Sequence, residues 1–373
     1  LDLCIMKLLL LLFSVLFSFN NMFANDGVYY GSGNALIPIN EKTIKVQKEI
    51  LNIKKVGDEF HLTVYYEFNN PGVAKKVLVG FEANCPYGDV SFDAIKSVQH
   101  PFMKDFTVNM NGKILPFKVA KVHDSLYFKN GKLIEMSKEE LNQYADVEYY
   151  DFFYVYHFEA EFQTGINKVI HTYKLKASSN VMDVYELTYV LTGATRWANK
   201  QIDDFTLNID LGELQCVDFD HNFFKSHEDW NLLGVGKKMD IRNESFETKF
   251  TRFYIRNGLL SFHKTNFKPT KELYFNASKF ELCQGCQISG YDTFDAKTDY
   301  IYFSNFELPL IAKDEWSLKV MKNLPYARRG YVFNNKELQT WFEKMPWYLP
   351  DPNYTPDLTA LTVAEKKWLK GIK

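Results

Sequence analysis

From about residue 41 to residue 310 the chain alternates between apolar and polar side chains over short stretches. In EFHLTVYYEF, Phe60, Leu62, Val64, Tyr66 and Phe68 fall on one side of an extended backbone, and His61, Thr63 and Glu67 on the other. That period of two predicts a strand with one dry and one wet face. DFTLNIDL repeats it through Phe205, Leu207, Ile209 and Leu211. Asn111-Gly112 and Asn130-Gly131 each separate two short apolar runs, and Asn-Gly accepts the positive φ angles of a two-residue hairpin turn. NNPG at 69–72 marks a further turn, before VAKKVLVGF. Helical signals are few before residue 312. SKEELNQYA is one: Ser137 with Glu140 three positions on predicts a capping box and one or two helical turns.

The period changes near the end. Leu318, Met321, Leu324 and Ala327 or Arg328 recur at helical spacing, and Gly330 is placed to close that helix in the left-handed conformation. Pro325 removes a backbone donor, so the helix either kinks there or restarts with proline in its first turn. Asn334 with Glu337 and Thr362 with Glu365 mark two further helix starts, separated by PWYLPDPNYTPD.

These patterns predict a mainly β protein: two antiparallel β-sandwich-like domains, at about 25–165 and 166–312, followed by a small C-terminal helical module at 313–373. A chain of 373 residues is too long for one ordinary core, which fits that division. A net charge of -2 offers no basic face for nucleic acid.

The amino terminus carries an address. Lys7 precedes LLLLLFSVLFSF, an apolar run of signal-peptide length and too short to span a bilayer comfortably, followed by the polar NNMFAND. Residues 1–24 are therefore expected to be a signal peptide, with Met6 as the start, Ala24 before the cut and no transmembrane segment after cleavage. Cys4 precedes the apolar run, which argues against a lipid-anchored cysteine. Cys85, Cys216, Cys283 and Cys286 would remain in an oxidising compartment, where disulfides are allowed. ELCQGCQISG leaves three readings of Cys283 and Cys286: a local disulfide, a redox pair, or half of a zinc site. The disulfide is favoured, because the following QISGYDTF is not helical and no second pair of zinc ligands accompanies it.

The C-terminal segment resembles the YARHG domain, a small module of bacterial exported proteins. The resemblance is carried by Tyr326, Ala327, Arg328, Gly330, Tyr331, Phe333, Glu337, Leu338, Trp341, Phe342, Trp347, Tyr348, Leu361, Thr362 and Glu365, over about 314–373. Arg329 stands where the family's name has histidine, so a role needing an imidazole there would be absent. A weaker likeness, over about 25–280, is to a family of bacterial exported proteins of unknown function. It rests on NDG at 25–27, His171 and Tyr173, NFKPTKEL, and YVLTGATRWANKQIDDFTLNI. Neither resemblance implies an activity or a cofactor.

A module of about 60 residues buries little surface, so Tyr331, Phe333, Trp341, Phe342 and Trp347 are expected to pack its core. Arg328 and Arg329, adjacent on a helix, point about 100° apart. One should make an internal ion pair or ring stack and the other reach solvent; with Tyr326 and Tyr348 they are the ligand-binding candidates.

His157, Glu159 and Glu161 share one face of a strand, as metal ligands do, but also as any wet face does. DFDHNFFKSHEDW and the loop aspartates Asp292, Asp295 and Asp299 lack recognised ligand spacing, so no metal site or cofactor is assigned. No nucleophile, zinc-protease or phosphate-loop motif is present, and no catalytic residue is assigned. Aromatic residues make up 16% of the chain, which suits a carbohydrate platform but equally an AT-rich coding sequence. The sequence therefore predicts an exported envelope protein, periplasmic or at the cell surface, with a binding or structural role toward an envelope component or a protein. The alternatives are an envelope glycan hydrolase using paired carboxylates on the β body, and an assembly factor that adds partner strands to an open sheet edge.

Overall fold

The computed structural model describes residues 28–29, 36–38, 41–88, 90–123, 128–129, 132–145, 150–243, 248–279, 281, 293–304, 306 and 311–372. The leader, the Asn130-Gly131 turn, and Cys283 with Cys286 lie outside them.

Strand is the commonest secondary structure, at 48% against 16% helix. β1 (Lys45–Val56) and β2 (Glu59–Asn70) form a hairpin. Phe60, Leu62, Val64, Tyr66 and Phe68 are all buried on one face of β2. The NNPG turn then hands the chain to a second sheet, through β3 (Lys75–Asn84). Asn70 fixes that crossing, its side chain accepting from Gly72 N at 3.1 Å and donating to Val73 O at 3.0 Å. β4 (Met103–Met110), β5 (Lys118–His123), β6 (Phe152–Phe162) and β7 (Gly165–Lys176) complete the amino-terminal half.

The other half contributes β8 (Asp183–Tyr189), β9 (Ile202–Asp210), β10 (Gln215–Asp220), β11 (Trp230–Asn243), β12 (Thr248–Phe267) and β13 (Leu273–Ser278). The large sheet runs β8, β13, β10, β12, β9, β1, β2, β7, β4 and the short strand Lys113–Ile114, with β11 on β12. The smaller sheet runs from strand Leu36–Pro38 through β3 and β6 to β5. Its inner face meets the large sheet through rings: Phe81 of β3 lies 5.0 Å from Phe106 of β4 and 5.2 Å from His171 of β7. One main ladder is parallel: β9 lies beside β1, Ile202 opposite Val46 and Asp210 opposite Lys54.

β12 is 20 residues long because it serves two neighbours in turn on one side. It pairs with β10 from Phe250 to Ile255 and with β9 from Leu260 to Phe267. Gly234 of β11 faces Gly258 of β12 at that change, with φ +156° and +104°. A Cβ on either would sit 2.2 or 2.3 Å from a backbone oxygen, so only glycine allows the two strands to cross there.

Both legible local signals are present as expected. Asn111 and Gly112 turn with φ 52° and 87° between Met110 and Lys113, and Ser137 and Glu140 form a capping box on helix Lys138–Asn142.

The C-terminal helices are α1 (Glu315–Ala327), α2 (Lys336–Glu343) and α3 (Val363–Gly371). Pro325 neither ends nor restarts α1 but lies in its last turn, and Arg328 N still bonds Leu324 O at 3.0 Å. Gly330, at φ +93°, follows, and Tyr331 N reaches back to Tyr326 O at 3.0 Å. α2 is capped by Asn335, one residue later than Asn334, because Asn335 Oδ1 accepts from Leu338 N at 2.9 Å. Thr362 and Glu365 cap α3 as read from the sequence. The helices share one apolar cluster with Cys216 and Tyr254 of the large sheet and with Phe294 and Tyr300–Phe303.

Candidate functional site

The C-terminal candidates converge inside the protein. Arg328 and Arg329 are both buried, contrary to the expectation that one reaches solvent. The 100° between them separates their surroundings rather than their exposure, because α1 is covered on two sides. Arg328 lies 4.7 Å from the rings of both Phe303 and Phe306, donates to Leu214 O at 2.6 Å and approaches Glu365 at 3.6 Å. Arg329 donates to the two carboxylate oxygens of Glu365 at 2.6 and 2.8 Å and to Pro325 O and Ala360 O.

Glu365 is wholly buried. Burial by itself would raise its pKa, but the Arg329 hydrogen bonds and the Arg328 charge bring it below the ordinary carboxylate range. An imidazole could not make this fork of two parallel bonds. Burial draws Arg328 down to about 10, which leaves it charged at neutral pH. Tyr326 is half-buried. Tyr348 is buried, its hydroxyl donating to Tyr331 O at 2.7 Å. Phe333, Trp341, Phe342 and Trp347 are buried core residues, and Tyr331 packs partly buried against them. Arg328 also edges a pocket of about 210 Å³ with Cys216 and Ser304.

The acidic and histidine-rich stretches resolve into ion pairs and polar contacts within the fold. Asp218 holds Arg252 through two bonds of 2.7 Å. Asp240, which the sequence did not single out, reaches both His221 at 3.4 Å and His227 at 2.9 Å. Asp295 holds Lys313 at 2.6 Å. Among the described residues no three His, Cys, Asp or Glu side chains converge as metal ligands.

Glu49, His100 and His171 are among the titratable groups buried in the β body. Burial raises Glu49 to about 8, opposed by a hydrogen bond from Tyr66, and lowers His171 to about 3 and His100 to about 4. Neither ring nitrogen of His171 has a hydrogen-bond partner among the described residues. Glu49 enters the fold neutral, so its contribution to stability is complete below about pH 4.5 and is lost as pH rises toward 8. The two histidines act in the opposite sense, their contribution being complete above about 6.5 and lost as pH falls. In Glu49→Gln, the unfolding free energy from urea titration should gain on that of the natural protein as pH rises from 5 to 8, by up to about 1.4 kcal/mol per pH unit. A gap constant across that range would contradict a neutral, buried Glu49.

An open groove of about 760 Å³ lies elsewhere, beside β6. One wall is the outward face of the small sheet, with His157, Glu159 and Glu161 on β6 and Lys76 and Leu78 on β3. The opposite wall is the segment from Met110 to Lys118, with Lys113, Leu115, Pro116 and Phe117. Asn167, fully buried, ties the walls together. Its Oδ1 accepts from Asn111 Nδ2 at 3.0 Å and from Gln163 N at 2.9 Å, and its Nδ2 donates to Gln163 O at 2.8 Å.

Burial lowers the pKa of His157, helped by the charge of Lys118. Lys76, Lys113, Lys118 and Glu159 form no hydrogen bond or ion pair with another side chain among the described residues. The sequence identified the shared face of His157, Glu159 and Glu161 but missed the lysine wall. That wall belongs to a connection roughly 40 residues earlier, and only the route between sheets brings it alongside.

The fold is thus a mainly β body bearing a small helical C-terminal domain. Residues 300–373 match the YARHG domain family, a module of exported proteins. Among solved structures the chain is similar to one from Legionella pneumophila described as a "putative nutrient binding protein". The two are 16% identical, with 92% of this chain and 98% of that one covered and a TM-score of 0.49. It is also similar to an M1 zinc metallopeptidase from Deinococcus radiodurans, at 9% identity, with 59% of this chain and 42% of that one covered and a TM-score of 0.24. No curated protein matches the chain. Among the described residues no helix is long and apolar enough to cross a membrane.

Proposed function

We propose that this is an exported, non-catalytic binding protein of the bacterial envelope, which takes its ligand in the groove beside β6. The YARHG match and the apolar leader support export. The observation that carries the binding role is the groove itself: an apolar floor under Lys76, Lys113, Lys118 and Glu159, none of them paired with another side chain among the described residues. A charge left without an internal partner at a concave site is available to a ligand. The C-terminal arginines have no such freedom, being engaged within the fold.

The test is retention of solubilised envelope fractions on the immobilised full chain, compared with a Lys113→Glu/Lys118→Glu double variant. A component held by the natural protein and lost by the variant is the expected result. Retention that survives the double reversal would remove the groove from consideration.

A further inference from the structure

The groove is bounded on one side by an interrupted ladder. β6 pairs with β3 from Phe153 to Phe162, but with β5 only from Phe152 to His157, where Lys118 stands opposite His157. Beyond Lys118 the connection turns away toward the large sheet: Leu115 N bonds Val108 O at 2.9 Å, and the Phe117 ring packs 5.0 Å from Phe106. Among the described residues no strand therefore pairs with Phe158–Phe162 on that side, and the groove runs along the vacant edge. Five residues of open edge span about 17 Å.

The flanking side chains specify what would fill it. Burial alternates along the open segment, with Phe158, Ala160 and Phe162 turned to the core and Glu159 and Glu161 exposed. A strand added here would place alternate residues opposite the two carboxylates, and opposite charges at directly facing positions are favourable. The residues between would face Met110, Leu115 and Phe117, which are apolar and wholly or partly buried. The end of the slot beside His157 is closed by β5, and Lys118 stands there. That ammonium group favours a carboxylate over an amine at the closed end. An added strand that ends there with its carboxylate runs antiparallel to β6, in line with β5.

Resting on the groove as the binding site, we infer that its ligand is the extended C-terminal end of a polypeptide, added as a strand to the open edge of β6. Its apolar residues, the last one included, alternate with basic residues opposite Glu159 and Glu161, and its terminal carboxylate lies at Lys118. Backbone pairing supplies affinity and the side-chain alternation supplies selectivity.

The probe is an acetylated pentapeptide of alternating valine and lysine, valine at both ends, with a free carboxylate, titrated against the full chain by fluorescence polarisation. Saturable binding is expected, with at least a tenfold loss on amidating the carboxylate, on replacing the lysines by glutamates, or in Glu159→Gln/Glu161→Gln. Methylating the backbone nitrogens of the peptide should abolish binding, since it removes the donors of the added ladder. Equal binding of the methylated peptide, preference for the glutamate form, or no binding of any peptide each overturns strand addition. If the Lys113→Glu/Lys118→Glu variant still loses its envelope component in that event, the groove remains a binding site for another chemistry. If it does not, the groove reading fails as well.

Discussion

Replacing Glu365 by alanine is expected to lower the stability of the folded protein by about 3 to 5 kcal/mol, the range for removing one partner of a buried ion pair. Glu365 is inaccessible to solvent and accepts both bonds of Arg329. It is also the nearest carboxylate to Arg328, and it accepts from Thr362 N at 2.7 Å in the box that starts α3. Its removal leaves two guanidinium groups in a low-dielectric interior with only backbone carbonyls and rings to face, and frees the first turn of α3. The double change Arg329→Met/Glu365→Gln should lose less than the sum of its single changes, because the fork is then removed as a pair. Urea unfolding with hydrogen exchange along α1 and α3 would measure both. A loss under about 1 kcal/mol for Glu365→Ala is the figure for a solvated surface pair, and would show that the fork is not formed in solution.

In the β body, Trp230→Ala is expected to destabilise by about 3 to 5 kcal/mol, as large-to-small changes of buried aromatic residues do. Trp230 is fully buried at the start of β11. Its indole meets the rings of Phe219 at 5.1 Å, Phe262 at 5.4 Å, Phe224 at 5.5 Å and Phe253 at 5.7 Å, three of them edge to face. These neighbours come from β10, β12 and the loop between β10 and β11, so a cavity there cannot close by moving one element. Trp230→Phe should lose only a fraction of this, because the indole nitrogen has no hydrogen-bond partner among the described residues to forfeit. Equal losses for the two variants would mean that an unseen bond from that nitrogen, and not ring packing, holds the site.

Signals confined to a few neighbouring residues were the ones the sequence displayed clearly. The one-sided apolar run of β2, the Asn111-Gly112 turn, the Ser137 box and the Thr362 box each depend on contacts within about four residues or on one face of one strand. The Asn334 reading failed by a single position because two asparagines adjoin and either can cap. The burial of both Arg328 and Arg329 was hidden for another reason. It depends on Leu214, Phe303, Phe306 and Glu365, residues 22 to 114 positions away, brought around the end of α1 by the docking of the helices on the sheet. Half of the candidate groove was legible in the same way, since His157, Glu159 and Glu161 alternate along one strand. The lysine wall and the early end of β5 were not, because an unpaired edge is a property of two strands of unequal length and leaves no mark on either.

The parallel ladder between β1 and β9 sets a timetable for the growing chain. β2 leaves the ribosome immediately after β1 and can cover one of its edges, but the other edge belongs to residues 202–210. At translation rates of about 5 to 20 residues per second that partner arrives on the order of 10 s later. Through that interval β1 offers a row of vacant amide and carbonyl groups to any neighbouring nascent chain. The amino-terminal half thus emerges as an unfinished template, completed only when residues 202–210 reach it.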